Sequence, residues 1–321
     1  MMVVAGHIGH NPRWAGSYAV FGFYMLSGFL MTNILHEAYG LDAAGMRRYF
    51  VNRALRIYPA YWCALLLSIF AVALAPQSAN VLNPVLHMPS SLLAWVSNAS
   101  LFGLTIPVPQ RLVPPAWSLN VELSFYIALP LLLCRWRVGT VIWFAISSGY
   151  TAYMVYQGRP FLVRYAPLAA ASLPFSIGAL VWHFRRALPS VSTPLLGVAF
   201  VAYLANLSGA RVWWTDPKLQ GFYVSLALSS VLLVGLSQRT TARPWLQYVD
   251  RQLGRLSYPI FLLHWTIATL VAATGAIAPT RGGMLFCVTI VPLNLTAFAV
   301  ASFVEGPVER FRTRVRARAP R

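Results

Sequence analysis

The chain has 321 residues, of which 58% are hydrophobic and only 10% are charged. Because folding leaves a large share of any chain at its surface, a soluble globule could not hide so much apolar side-chain area. The composition therefore excludes a soluble enzyme, a disordered chain and a disulfide-stapled scaffold, and it predicts an all-α polytopic membrane protein. The three cysteines lie in apolar runs without metal-ligand spacing, so we predict no metal site.

Apolar runs long enough to form spanning helices follow one another along the chain. We place them at 17–36, 57–76, 117–134, 138–156, 165–182, 191–209, 219–237, 256–275 and 284–304. The apolar stub Met1 to Gly9 is interpreted as the outer end of a first span that is truncated at its N-terminus, which makes about ten transmembrane helices. The stretch 85–108 is framed by prolines, and counting it as a span would put the C-terminal arginines on the opposite side of the membrane from Arg47 to Arg56. We therefore predict an interfacial or re-entrant segment there rather than a span.

The net charge of +18 arises from 25 Lys and Arg residues in short clusters between the apolar runs. In the ten-span arrangement, 18 of these 25 residues fall on one side of the membrane and 7 on the other. Because basic loops are retained in the cytoplasm, we predict that both termini are cytoplasmic and that the chain does not bind nucleic acid. We also predict a single integral-membrane domain over 1–321, with a basic cytoplasmic tail at 310–321.

His7, Glu122 and His264 fall inside predicted spans, where an ionisable side chain is costly and usually functional. His7 and Glu122 lie at similar depths near the outer face, and a histidine and a carboxylate at one level form a base–orienter pair. The alternatives are a packing role for Glu122, paired to an arginine such as Arg111, and an interfacial position for His7. His264 either takes part in the reaction or bonds a neighbouring helix.

Arg53 and Arg56 begin a span at the inner face and, three positions apart, share one face of its helix. Guanidinium groups placed in this way fork onto phosphates. The alternative is that the two arginines only anchor the helix at the cytoplasmic membrane surface.

Five strings along the chain have distinctive patterns. They are Phe23–Leu30 (FYMLSGFL), Arg53–Pro59 (RALRIYP), Trp117–Tyr126 (WSLNVELSFY), Leu256–Trp265 (LSYPIFLLHW) and Glu305–Pro307 (EGP). Together they resemble the signature motifs of the acyltransferase 3 family of integral-membrane acyltransferases, in the family's order and across essentially the whole chain.

The resemblance implies an O-acyltransferase of the bacterial inner membrane. It would move an acyl group, commonly acetyl, from cytoplasmic acyl-CoA to a hydroxyl of an envelope glycan, a lipid-linked glycan or a small exported acceptor. The resemblance matches His7 to the family's essential histidine, which would act as base or acyl carrier, and it brings Arg53 and Arg56 to the acyl-CoA donor. Acyl-CoA would be a substrate, and no permanently bound cofactor is expected.

Four further polar residues are candidate donors to an oxyanion or to the acceptor. They are Ser118, Asn120, Ser257 and Tyr258. Two other functions compete with the enzyme: a secondary transporter or glycan-lipid flippase, which would also carry charged residues at mid-membrane, and an inactive family member with a truncated first helix. Transporters usually have two related halves, and we find no internal repeat in the chain.

Overall fold

A computed structural model describes residues 2–9, 14–239 and 243–317, and every regular element in these ranges is helical. The helices are α1 (Met2–Ile8), α2 (Trp14–Ile34), α3 (Ala43–Leu74), α4 (Pro76–Leu82), α5 (Leu92–Ser100), α6 (Ala116–Ala128), α7 (Arg137–Tyr156), α8 (Phe161–Tyr165), α9 (Leu168–Phe184), α10 (Thr193–Trp213), α11 (Phe222–Ser237), α12 (Pro244–Ala273), α13 (Gly283–Ala299) and α14 (Gly306–Ala317). Wider π-type turns continue or join these helices at Leu35–Tyr39, Leu129–Leu133, Pro217–Gly221 and Val300–Glu305. The all-α prediction is confirmed.

Eight helical stretches in the described ranges are long and apolar enough to cross a membrane. They are Trp14–Tyr39, Ala43–Leu74, Ala116–Leu133, Arg137–Tyr156, Thr193–Trp213, Pro217–Ser237, Pro244–Ala273 and Gly283–Val315. The chain is therefore a multi-pass integral membrane protein, and these stretches correspond to eight of the nine complete spans predicted from the sequence.

The two remaining predicted spans are shorter. The run 165–182 corresponds to α9, whose 17 residues are apolar and rise about 26 Å, slightly less than a hydrocarbon core of about 30 Å. The N-terminal stub contains α1, which has 7 residues. A count of ten spans depends on these two helices and stays a prediction.

The proline-framed stretch 85–108 contains only the nine-residue helix α5, which rises about 14 Å and is too short to span. Side chains hold the stretch and the loop after it together: the buried Asn98 amide donates to the carbonyls of Ala94 and Gln110, and its Oδ1 accepts from Leu112 N at 2.9 Å. The structure agrees with the exclusion of this stretch from the spans.

Arg111, in the same loop, is a buried cation whose Nη1 is hydrogen-bonded to backbone oxygens. Its Nη1 donates to the carbonyls of Thr105, Ile106 and Val108 at 2.6, 2.5 and 3.1 Å. Burial lowers the pKa of Arg111 to about 10, so the guanidinium keeps its charge at neutral pH and ties the loop together.

The chain packs as two compact units. Unit 1 comprises 1–11, 51–120 and 241–321, and unit 2 comprises 12–50 and 121–240. The unit boundaries fall inside α3 and inside α6. Our prediction of one acyltransferase domain over 1–321 stays a prediction. Of the predicted tail, residues 310–317 belong to α14 and the remainder lies outside the described residues.

Unit 2 is organised around the close packing of α2 against α9, which two glycines permit. A Cβ atom on Gly28 would lie 2.2 Å from the carbonyl oxygen of Phe175, and one on Gly178 would lie 2.0 Å from that of Met25. Small residues at such crossings let helix backbones approach closely in membrane proteins. Gly28 is the glycine of the FYMLSGFL string. The close packing of α2 against α9 explains why a glycine is needed at this position of the string.

Within unit 1, α1 packs against α12 and α13. The backbone N–H of Gly282, next to the start of α13, donates to the carbonyl oxygen of Ile8 at 2.8 Å. This bond fixes the C-terminal end of α1, where His7 lies.

Candidate functional site

The structure brings the two intramembrane histidines of unit 1 together. His7 Nδ1 lies 2.9 Å from His264 Nε2, and the two rings stack with centroids 5.1 Å apart. His264 is fully buried on α12, whereas His7 on α1 is only partly buried. The partly buried imidazole of His7 thus contacts the fully buried imidazole of His264.

The backbone determines which nitrogen carries each hydrogen. His264 Nδ1 lies 2.7 Å from the carbonyl oxygen of Phe261, and a carbonyl can only accept, so this nitrogen donates. Burial favours a neutral His264, whose Nε2 lone pair then accepts from His7 Nδ1–H. The remaining His7 nitrogen, Nε2, therefore has a free lone pair for base or nucleophile chemistry.

Two residues that the sequence analysis did not select extend this group. The Trp265 ring stacks on His7 with centroids 5.6 Å apart, and the Arg281 guanidinium lies 4.8 Å from a Trp265 ring centroid. Arg281 Nε also donates to Leu82 O at 2.7 Å. Trp265 follows His264 in a motif string and could have been selected, whereas nothing in the sequence singles out Arg281.

Three motif strings meet around Arg56 in unit 1. The Arg56 guanidinium forms an ion pair with Glu305 at 3.4 Å and lies 5.5 Å from the centroid of the Tyr258 ring. The Tyr258 hydroxyl donates to the Ile57 carbonyl at 2.9 Å. Glu305 lies in the EGP string, but the sequence alone did not predict a role for it in the site.

Arg53 lies one turn before Arg56 on α3. Its Nη2 donates to Asn52 Oδ1 at 3.1 Å, and the same oxygen accepts from Arg312 Nε at 3.2 Å. Asn52 therefore connects α3 to α14, and a cluster of basic side chains forms where the two helices meet.

Glu122 is a buried carboxylate of unit 2 and is 4% exposed. Its Oε1 accepts from the Ser27 hydroxyl at 2.9 Å and also from the Tyr126 hydroxyl. Ser27 and Tyr126 both belong to motif strings but were not selected individually. The pairing of Glu122 with His7 joins residues of different units and stays a prediction.

The other candidate donors bond to nearby backbone. The hydroxyl of buried Ser118 donates to Pro115 O at 2.9 Å, and Asn120 Oδ1 accepts from Gly103 N at 3.3 Å. Ser257 is exposed and its hydroxyl donates to Leu253 O at 2.6 Å. Within the described ranges, no group of three or more His, Cys, Asp or Glu side chains is arranged to hold a metal ion.

Comparisons with known proteins agree on one family. A family model described as an acyltransferase domain matches residues 1–304. A putative peptidoglycan O-acetyltransferase, YrhL of Bacillus subtilis, is 28% identical over 312 residues, which covers 84% of this chain and 47% of that protein. The peptidoglycan O-acetyltransferase OatA of Listeria monocytogenes is 25% identical, with 84% of this chain and 47% of that protein covered.

A third relative, nodulation protein 10 of Rhizobium leguminosarum, is 26% identical, with 92% of this chain and 83% of the relative covered. The chain thus spans about half the length of the two peptidoglycan O-acetyltransferases but most of the nodulation protein. No solved structure matches the chain significantly.

The family match extends over nearly the whole chain, includes the first four of the five motif strings, and agrees with the multi-pass helical fold. The fifth string, Glu305–Pro307, begins one residue after the match ends. The match assigns the chain to a family of acyltransferases rather than to a family of transporters or flippases. The chain belongs to the acyltransferase 3 family of integral-membrane acyltransferases.

Proposed function

We propose that this acyltransferase moves an acyl group, in the first instance acetyl, from cytoplasmic acyl-CoA to a hydroxyl of an envelope glycan, a lipid-linked glycan or a small exported acceptor. The names of the Bacillus and Listeria relatives, both peptidoglycan O-acetyltransferases, support this acceptor class. The observation that carries the proposal is the contact between His7 and His264, which leaves a lone pair on His7 Nε2.

In the proposed reaction, His7 acts as the general base. Its Nε2 takes the proton of the acceptor hydroxyl while the hydroxyl oxygen attacks the thioester carbonyl. The C–S bond then breaks, and the CoA sulfur leaves with the proton returned from His7. Throughout this cycle His7 Nδ1–H stays hydrogen-bonded to His264 Nε2, so His264 acts as a positioning residue that sets the tautomer of His7.

The donor site is proposed at Arg53 and Arg56. Guanidinium groups on one helix face match the phosphates of CoA. The ion pair of Arg56 with Glu305 is 3.4 Å long, and it holds the arginine side chain in place before the donor binds. The basic loops support an inner-membrane location with both termini cytoplasmic, so this site would face the cytoplasmic acyl-CoA pool.

The remaining site residues are proposed to act as follows. Glu122 stabilises the charge that develops on His7, while Ser118, Asn120, Ser257 and Tyr258 help to position the oxyanion or the acceptor.

The central test is acetyl transfer by the chain in proteoliposomes, with radiolabelled acetyl-CoA outside and lipid-linked disaccharide or muropeptide acceptors inside. His7→Ala should abolish transfer while the thermal unfolding midpoint stays close to that of the unsubstituted chain. Transfer by His7→Ala at the normal rate would refute the proposal. A labelled protein adduct that forms without acceptor and is lost in His7→Ala would instead identify His7 as an acyl carrier.

The donor site has its own prediction. Arg56→Ala should raise the apparent acetyl-CoA constant about tenfold or more, because it removes a charge-assisted phosphate contact worth roughly 1.5–3 kcal/mol. Arg47→Ala is the matched control, since Arg47 is an exposed arginine at the start of the same helix. Equal effects of the two substitutions would favour the membrane-anchor interpretation.

A further inference from the structure

Unit 2 contains a second basic site that the proposed reaction does not use. It is a cleft of about 370 Å³, a volume typical of small-molecule sites. We call it the basic cleft, and the basic side chains that line it are His36, Arg135, Arg137, His183, Arg185 and Arg186.

Positive charge in the basic cleft is only partly compensated. Four guanidinium groups line the cleft, and the one carboxylate among its described lining residues is Glu37, which pairs with Arg185 at 2.8 Å. Arg137 and Arg186 are exposed, and their side chains form no hydrogen bond or ion pair with any residue in the described ranges. An anion in the cleft would relieve the mutual repulsion of these like charges.

The histidines of the basic cleft are already oriented. His36 Nε2 and His183 Nε2 both donate to the carbonyl oxygen of Cys134, at 2.8 and 3.1 Å. The Trp182 ring stacks on His36 with centroids 4.6 Å apart and has the Arg185 guanidinium 4.4 Å from a ring centroid. The aromatic and histidine side chains of the cleft are therefore held in place before any ligand arrives, which lowers the entropic cost of binding.

Helix capping accounts for only part of this arrangement. Cations at the C-terminal ends of helices are favourable, which explains His183 and Arg185 at the end of α9. Arg137, however, is the first residue of α7, where the helix dipole disfavours a cation and attracts an anion. An anion placed between the start of α7 and the guanidinium groups would interact favourably with the helix dipole and with the positive charges.

We propose that the basic cleft binds a phosphate-bearing anion, either a phosphomonoester or a diphosphate. Guanidinium forks match the geometry of phosphate oxygens, and a helix N-terminus adds backbone N–H donors. The phosphate belongs either to a soluble molecule or to an anionic lipid headgroup. All residues of the site belong to unit 2, so the inference is independent of the roles proposed for His7, Arg53 and Arg56.

The test uses the chain in nanodiscs of uncharged phosphatidylcholine, with inorganic pyrophosphate titrated by calorimetry. The Arg137→Gln/Arg186→Gln variant should weaken pyrophosphate binding at least about tenfold. Both residues are exposed and unpaired, so the thermal unfolding midpoint should not change. The control is Arg251→Gln/Arg310→Gln, which removes the same charge from exposed positions of unit 1 and should leave the affinity unchanged.

A second arm identifies the source of the phosphate. In nanodiscs that contain phosphatidylglycerol, competition with pyrophosphate that disappears in Arg137→Gln/Arg186→Gln would identify a lipid headgroup as the occupant. Unchanged pyrophosphate affinity would identify a soluble phosphate. Failure of the unsubstituted chain to bind pyrophosphate in phosphatidylcholine, or equal weakening by the control variant, would overturn the proposal.

Discussion

The chemistry of His7 depends on which of its ring nitrogens carries the hydrogen. The hydrogen bond to the Phe261 carbonyl sets the tautomer of His264, and the contact with His264 in turn sets the tautomer of His7. In the familiar catalytic triads a carboxylate orients the reactive histidine, and in the proposed mechanism the imidazole of His264 would take the place of that carboxylate. The arrangement places a basic lone pair on the more accessible of the two rings.

Substitutions at His264 test this relay. His264→Leu removes the acceptor for His7 Nδ1–H and should lower turnover about 100-fold, within the range expected for general-base catalysis. His264→Gln keeps an amide oxygen that can accept the same hydrogen, and it should recover part of the rate. The measurement is steady-state acetyl transfer, with little change expected in the acetyl-CoA constant. If both variants lose activity equally and in step with thermal stability, His264 is only a packing residue.

Glu122 is tested with His7 in a double-mutant cycle. Glu122→Gln keeps an oxygen that can accept from Ser27 and Tyr126 but removes the negative charge. It should lower the rate by about 10- to 100-fold, with donor binding little changed. If the two residues act as a unit, His7→Ala/Glu122→Gln should be little worse than His7→Ala alone. Losses that multiply in the double variant would separate Glu122 from His7.

At the level of helices, the glycines between α2 and α9 determine how closely the two helices pack. Both contacts are with backbone oxygen atoms, and backbone cannot move aside as a flexible side chain can. A methyl group at either position therefore has to push the helices apart.

Gly28→Ala should lower the stability of unit 2 by about 1–3 kcal/mol, the usual cost of overpacking a core. The matched control is Gly149→Ala on α7, where a Cβ atom would meet no atom within 4 Å. This control should be neutral or slightly stabilising, because alanine favours helix more than glycine does. Thermal unfolding in detergent compares the two, and equal midpoints would contradict the packing role of Gly28.

At the level of the whole molecule, the distribution of arginine predicts orientation. The structure confirms a multi-pass chain with eight long apolar helices in its described part, and the predicted orientation rests on which loops are basic.

Reporter fusions test the orientation directly. Fusions after Arg137, Arg186 and Arg321 should report a cytoplasmic location, and fusions near Gly158 and Pro279 should report the outside. Two or more reversed reporters would rule out the arrangement with both termini in the cytoplasm.

Local properties of the sequence determined the class of the protein and most of its spans. The length of an apolar run and its flanking charges can be read without knowing any contact, because each helix satisfies its own backbone in the membrane. The same holds for the motif strings, whose resemblance to one family is confirmed by a match that includes the first four of them. The exclusion of 85–108 followed from its prolines together with the distribution of basic residues between the two sides of the membrane.

The partners of the functional side chains were decided only by the tertiary structure. His7 and His264 are separated by 257 positions, Arg56 and Glu305 by 249, and Ser27 and Glu122 by 95. Such contacts depend on how helices distant in sequence pack, and no periodicity or spacing within one helix encodes them. For the same reason the sequence identified His7 and Glu122 as candidates, whereas the hydrogen-bond partner of each became visible only in the folded chain.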